Sequence, residues 1–212
     1  MLFLQIFMEK DCNFFIRCYS KQRKGDLYME FACAVIDRFY AGNPELRSVL
    51  LKHSVQVKDK ALQIAENCGM TLDLEIVVRG AMLHDIGIIK CHAPDIYCPG
   101  TLPYIAHGCA GGAMLRELGS EFERCARICE RHTGSGLTAQ EIISGKLPLD
   151  PVDLLPETPE EKLICLADKF FSKSGEMKEK PLGKIRKQMA KFGKDSAARF
   201  EALLELFKVT DV

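Results

Sequence analysis

The stretch GAMLHDIGIIK, residues 80–90, constrains this chain more than any other. It is apolar and suited to a helix, yet His84 and Asp85 stand side by side in its middle. Burying one ionisable side chain costs several kcal/mol unless it is paired or bound to a metal. A fold that hides this segment must therefore bring other polar groups to meet the pair.

The surrounding pattern is helical. Asn43 caps a helix with Pro44 at its first position. Leu50, Ser54, Val57, Ala61, Ile64 and Cys68 follow at helical spacing, and Gly69 ends the run. The periodicity predicts a second helix over 73–89, a third over 103–118 and a fourth over 121–132. Short helices start at Thr138 and Thr158, where Glu141 and Glu161 complete capping boxes. Residues 91–103, CHAPDIYCPGTLP, read as a loop in which His92 and Tyr97 could touch a substrate. The tail, 176–208, reads as helical, basic early and apolar late. There is no convincing strand pattern and no internal repeat, so the expected fold is all-α. A polar break, KQRKGD, separates an N-terminal segment, 1–28, from the main domain over 29–175, with 176–212 as a helical extension. The first 28 residues read either as a mis-assigned translation start or as a docking segment.

Placing the histidines on these helices shows a convergence. His84 and Asp85 lie seven after Val77 and Val78, on the apolar stripe. His53 lies four before Val57, His107 shares its face with Gly111, Met114 and Leu118, and His132 follows Cys125 and Cys129. Asp168 lies four after Ile164. Five helices thus each aim one ionisable group, or the His-Asp pair, at the core, and His92 falls off the pattern. Four imidazoles and two carboxylates suit one or two divalent transition metals. Adjacent residues on a helix diverge by about 100°, so His84 and Asp85 cannot chelate one ion as an i,i+4 pair would. A carboxylate can bridge two ions about 3.5–4 Å apart, which makes Asp85 the expected bridge.

Composition narrows the rest. With 212 residues, 47% hydrophobic, the chain can bury one substantial core. Its net charge of zero argues against nucleic acid or a membrane surface as partner. No apolar run is long enough to span a bilayer, and charges at Glu9, Lys10 and Asp11 come too early for a signal peptide. The ten cysteines contain no C-x-x-C pair, and they are read as reduced thiols in a cytoplasm.

His53, the HDIG of 84–87 and Asp168 in LADKFF resemble the H…HD…D signature of the HD superfamily of metal-dependent phosphohydrolases. The ordered set, with His107 in AHGCAGG and His132 in RHTGSG, is similar to members that hold two metals. ERHTGSGLTAQEI and LPETPEEKLICLADK resemble a poorly characterised prokaryotic HDIG group, and the dinucleoside-tetraphosphate hydrolases are a more distant match. The GYP motif of the cyclic-di-GMP phosphodiesterases is missing.

The resemblance implies a helical bundle in which His53, His84, Asp85 and Asp168 hold one metal, and His107, His132 and the shared Asp85 a second. It implies iron, manganese or a similar ion, with magnesium, cobalt, nickel and zinc also compatible. The implied reaction is hydrolysis of a small phosphoester or nucleotide by a metal-activated hydroxide, with Asp85 at its centre. Lys90 and Arg131 are the expected catalytic and substrate-binding cations, joined by Lys169 in substrate binding. The glycines of HGCAGG either make room for substrate or permit close helix packing. Other HD proteins with a similar ligand set are mixed-valent di-iron oxygenases, and a nucleotide-binding sensor is a further possibility. A homodimer is compatible with all three.

Overall fold

The computed structural model describes residues 25–210, so residues 1–24 of the N-terminal segment lie outside the described residues. The fold is all-α. A first helix, α1 (25–40), already runs through 25–28, ahead of the Met29 boundary read from the sequence. It buries Ala32, Val35, Ile36 and Tyr40. Helix α2 (Pro44–Cys68) starts where the Asn43 side chain accepts from the Leu46 backbone N–H, and ends at Gly69 in a left-handed conformation. Helix α3 (Leu74–Leu83) is capped by Asp73, whose carboxylate accepts from Glu75 and Ile76 N–H.

The second helix is shorter than the expected 73–89. It stops at Leu83, turns at His84 and Asp85, and resumes as a 3-10 segment over Ile86–Lys90. The break has a packing cause. A Cβ on Gly87 would sit 2.1 Å from the His107 carbonyl oxygen and 2.3 Å from Gly111 N, so two backbones nearly touch there. Tyr40 fixes the turn from the other side, its hydroxyl donating to Ile86 O at 2.7 Å and accepting from Ile89 N–H at 3.3 Å.

Helix α4 (His107–Arg116) follows a 3-10 turn over Tyr104–Ala106, so the expected 103–118 helix has an irregular first turn. Helix α5 (Glu123–Arg131) likewise follows a 3-10 turn, over Ser120–Phe122. The glycines of HGCAGG serve packing: a Cβ on Gly108 would meet Cys129 O at 2.4 Å, and one on Gly112 the Glu130 side chain. Helices α6 (Ala139–Ser144) and α7 (Pro159–Asp168) both open with the expected capping boxes. The tail forms two helices, α8 (Leu182–Ala190) and α9 (Lys194–Leu206). The strand content among the described residues is small: a two-residue antiparallel ribbon of β1 (His92–Ala93) and β2 (Cys98–Pro99), inside the expected loop, and isolated bridges.

The apolar core falls into two clusters. One joins α1, the first half of α2, α4, α5 and the Ile86–Ile88 turn. The other joins the second half of α2, α3, α7, α8 and α9. Helix α2 passes from one to the other, with Leu50 in the first, Val57 in the second, and His53 and Ser54 between them. The segment read as an extension, 176–212, contributes Ile185, Phe200, Leu204 and Phe207 to the second cluster. Ser135 and Arg199 tie α9 to the loop after α5 and to α6, through hydrogen bonds to Ser196 O, Gly136 O and Glu141. No helix among the described residues is long and apolar enough to cross a membrane, and their eight cysteines are free thiols.

A candidate metal centre

Six buried side chains meet at the boundary between the two apolar clusters. His53 comes from the middle of α2. The others come from helix ends: His84 and Asp85 just past α3, His107 opening α4, His132 just past α5, and Asp168 closing α7. All have 9% or less of their surface exposed.

At the C-terminal ends of α3 and α5 the last carbonyls lack intrahelical partners, and at the start of α4 the preceding 3-10 turn offers a carbonyl to the ring. His84 Nδ1 lies 2.7 Å from Ala81 O, His132 Nδ1 2.7 Å from Cys129 O, and His107 Nδ1 2.6 Å from Tyr104 O. In each case the ring bonds the carbonyl three residues before it. That bond requires the proton on Nδ1, so whenever the ring is neutral its lone pair is on Nε2, the tautomer a metal ligand needs.

The Nε2 atoms then gather around Asp85, and its two oxygens serve different neighbours. Oδ2 lies 2.9 Å from His84 Nε2 and 3.1 Å from His53 Nε2, with Asp168 Oδ1 a further 2.9 Å from His53. Oδ1 lies 3.3 Å from His107 Nε2 and 3.4 Å from His132 Nε2, which are 3.0 Å from each other. The donors of His53, His84, Asp85 and Asp168 all lie within 4.8 Å of one another, and so do those of Asp85, His107 and His132.

These residues fit a binuclear site. An ion with nitrogen and oxygen ligands at about 2.0–2.2 Å leaves neighbouring ligand atoms roughly 3 Å apart, which is the spacing found. Neither Asp85 oxygen accepts a well-directed hydrogen bond, although Lys173 Nζ lies 2.6 Å from Oδ2. Buried acceptors left in that condition are rare unless an ion completes them. Burial disfavours both carboxylates' charge. The cations and imidazoles around them outweigh it and hold Asp85 and Asp168 well below the usual carboxylate range. Burial pushes His107 down to about 3 and lowers His132, keeping both neutral.

The expected cations are distributed unequally. Lys169 is buried beside the cluster, its ammonium 2.7 Å from Asp168 Oδ2 and donating to His132 O at 3.0 Å. It clasps two of the groups that position the site. Arg131 is turned toward Glu157, 2.8 Å away, and the Leu155 carbonyl. Lys90 is exposed, and its carbonyl accepts from Thr101 and Leu102 N–H. Neither is brought to the cluster. His92 and Tyr97 are exposed in the ribbon loop. Two neighbours of the site went unmarked in the sequence reading. Lys173 lies five after Asp168, off the α7 face and past its end, so periodicity gave no signal. Tyr104 lies three before His107, a same-face spacing that could have flagged it. Its ring stacks on His107 with centroids 4.9 Å apart.

With this geometry in view, the comparisons are decisive for the family. A model of the HD domain matches residues 50–172, more than half the chain and all six residues of the cluster. The chain belongs to the HD-domain family. It is similar to an uncharacterised protein of Methanocaldococcus jannaschii, 38% identical over 125 residues, covering 58% of this chain and 66% of that one. It is also similar to tRNA (cytidine(56)-2'-O)-methyltransferases of Thermoplasma volcanium and Picrophilus torridus. The identities are 32% and 36%, covering 76% and 58% of this chain. The chain spans just under two thirds of the first relative's length, and 42% and 32% of the two methyltransferases. No solved structure matches the chain significantly.

Proposed function

We propose that this HD domain is a metal-dependent phosphohydrolase acting on a small phosphoester or nucleotide. The observation that carries the reading is the division of Asp85, one oxygen toward His53 and His84, which Asp168 also meets, and the other toward His107 and His132. When two divalent ions are bound, they supply a water nucleophile at neutral pH and neutralise charge on a phosphoryl group. The chain's own residues do the rest. Three imidazoles are locked in one tautomer by backbone carbonyls. Lys169 fixes the rotamer of Asp168. The apolar clusters on both sides keep bulk water from the ligands, which strengthens every electrostatic contact there.

The methyltransferase activity named for two relatives is not carried over, because the chain spans less than half of each. Four imidazoles also suit iron, so oxygenase chemistry is the competing reading. The test is a panel of phosphomonoesters, phosphodiesters and nucleotides, assayed under nitrogen with protein loaded with manganese or ferrous iron. Release of phosphate or a shortened nucleotide is the expected result. Oxygen consumption with no anaerobic release would replace this reading with the oxygenase.

A further inference from the structure

We infer that Lys173, with the hydroxyl of Tyr104, forms the subsite that holds the phosphoryl group of the substrate, and that Lys173 neutralises Asp85 when metal is absent. The inference rests on the phosphohydrolase reading above and deepens it.

Lys173 lies beyond α7, on an irregular segment whose next residues, Ser174, Gly175 and Glu176, are exposed. Its side chain runs inward from that rim, with 13% of its surface exposed, to place Nζ 2.6 Å from Asp85 Oδ2. On the way it crosses the face of Tyr104, 5.9 Å from the ring centroid, and Tyr104 in turn stacks on His107. An ammonium group thus reaches the ligand cluster from a half-buried residue, with the Tyr104 hydroxyl as a hydrogen-bonding neighbour.

Asp85 Oδ2 cannot serve Lys173 and a dication equally. It is the oxygen that faces His53 and His84, so an ion held by that set takes the lone pairs that Lys173 now approaches. Without metal, the Lys173 ammonium lies against Asp85 and the Lys169 ammonium against Asp168. Two dications held there would leave a large positive surplus, whose repulsion would fall on the less firmly held ammonium. Lys169 is held by a carboxylate and a backbone carbonyl, whereas Lys173 reaches in from a half-buried position followed by exposed residues. The anion that answers the surplus is the substrate's phosphoryl group, and Lys173 and Tyr104 are donors already at its door.

The experiment compares wild type, Lys173→Met, Lys173→Arg and Tyr104→Phe, each loaded with manganese and checked for metal content. Binding of inorganic phosphate is measured by calorimetry, and melting with and without chelator. Lys173→Met should keep its metal but bind phosphate at least tenfold more weakly. Lys173→Arg should recover most of the loss, and Tyr104→Phe should lose less than Lys173→Met. Lys173→Met should also lower the melting temperature more in chelator than with metal, because only the metal-free protein needs the ammonium against Asp85. Equal phosphate binding by wild type and a fully loaded Lys173→Met overturns the inference and leaves the phosphohydrolase reading standing. A loaded wild type that binds no phosphate overturns that reading and the inference with it.

Discussion

Asp85 is where the chemistry of single residues concentrates. Its side chain is fully buried, and five cationic or imidazole nitrogens surround it within 3.4 Å. Asp85→Asn keeps the shape and removes the charge that both ion positions share. It should empty the centre and cost more activity than the roughly 10–100-fold typical of groups that merely support a ligand, with helical circular dichroism unchanged. Full metal content in that variant, by elemental analysis, would contradict the bridging role. Lys169→Met tests a supporting group and should fall within that 10–100-fold range in metal affinity. Lys180 offers a pH-dependent readout. Burial, reinforced by Lys169, Lys173 and Lys184 against Asp168, lowers it to about 8. Between pH 8 and its ordinary 10.5 the unfolded chain binds the proton and the folded chain does not, so stability from this group rises with pH. Lys180→Met should therefore melt above wild type at pH 7, with the advantage gone above pH 10.5.

At the scale of elements, the decisive contact is between the Ile86–Lys90 turn and α4. Gly87→Ala forces a methyl group into the His107 carbonyl, a backbone atom that cannot swing away, and should cost about 3 kcal/mol or more. Gly111→Ala meets Gly87 N at 3.0 Å, a milder clash, and should cost about 1 kcal/mol. In a domain of this size 1 kcal/mol is roughly 2–4 °C in melting temperature, so the two variants separate easily. Tyr40→Phe removes the hydroxyl that holds both sides of the same turn and should cost about 1–2 kcal/mol. Its metal affinity should fall as well, because the turn carries His84 and Asp85. The helix starts at Asn43, Thr138 and Thr158 were legible because capping is local chemistry between residues three apart. The break after Leu83 was not, because its cause is a backbone from another helix.

For the whole molecule, the two apolar clusters and the polar seam between them form one structure, and the C-terminal helices are part of it. Removing residues 182–212 deletes Ile185, Phe200, Leu203, Leu204 and Phe207 from the cluster that also holds α7. Each such loss costs about 2–5 kcal/mol against a total stability of about 5–15 kcal/mol. The truncated chain should show no cooperative thermal transition. The sequence by itself determined the helical class, the caps and the six side chains that meet in the buried cluster. Periodicity, capping and the cost of burying charge all act through residue identity and short spacing. The tertiary structure alone decided which Asp85 oxygen faces which histidines, that Lys90 and Arg131 stay outside, and that Lys173 comes in. Those outcomes depend on where helices distant in sequence bring their ends together, and on a side chain crossing from a segment with no period to read.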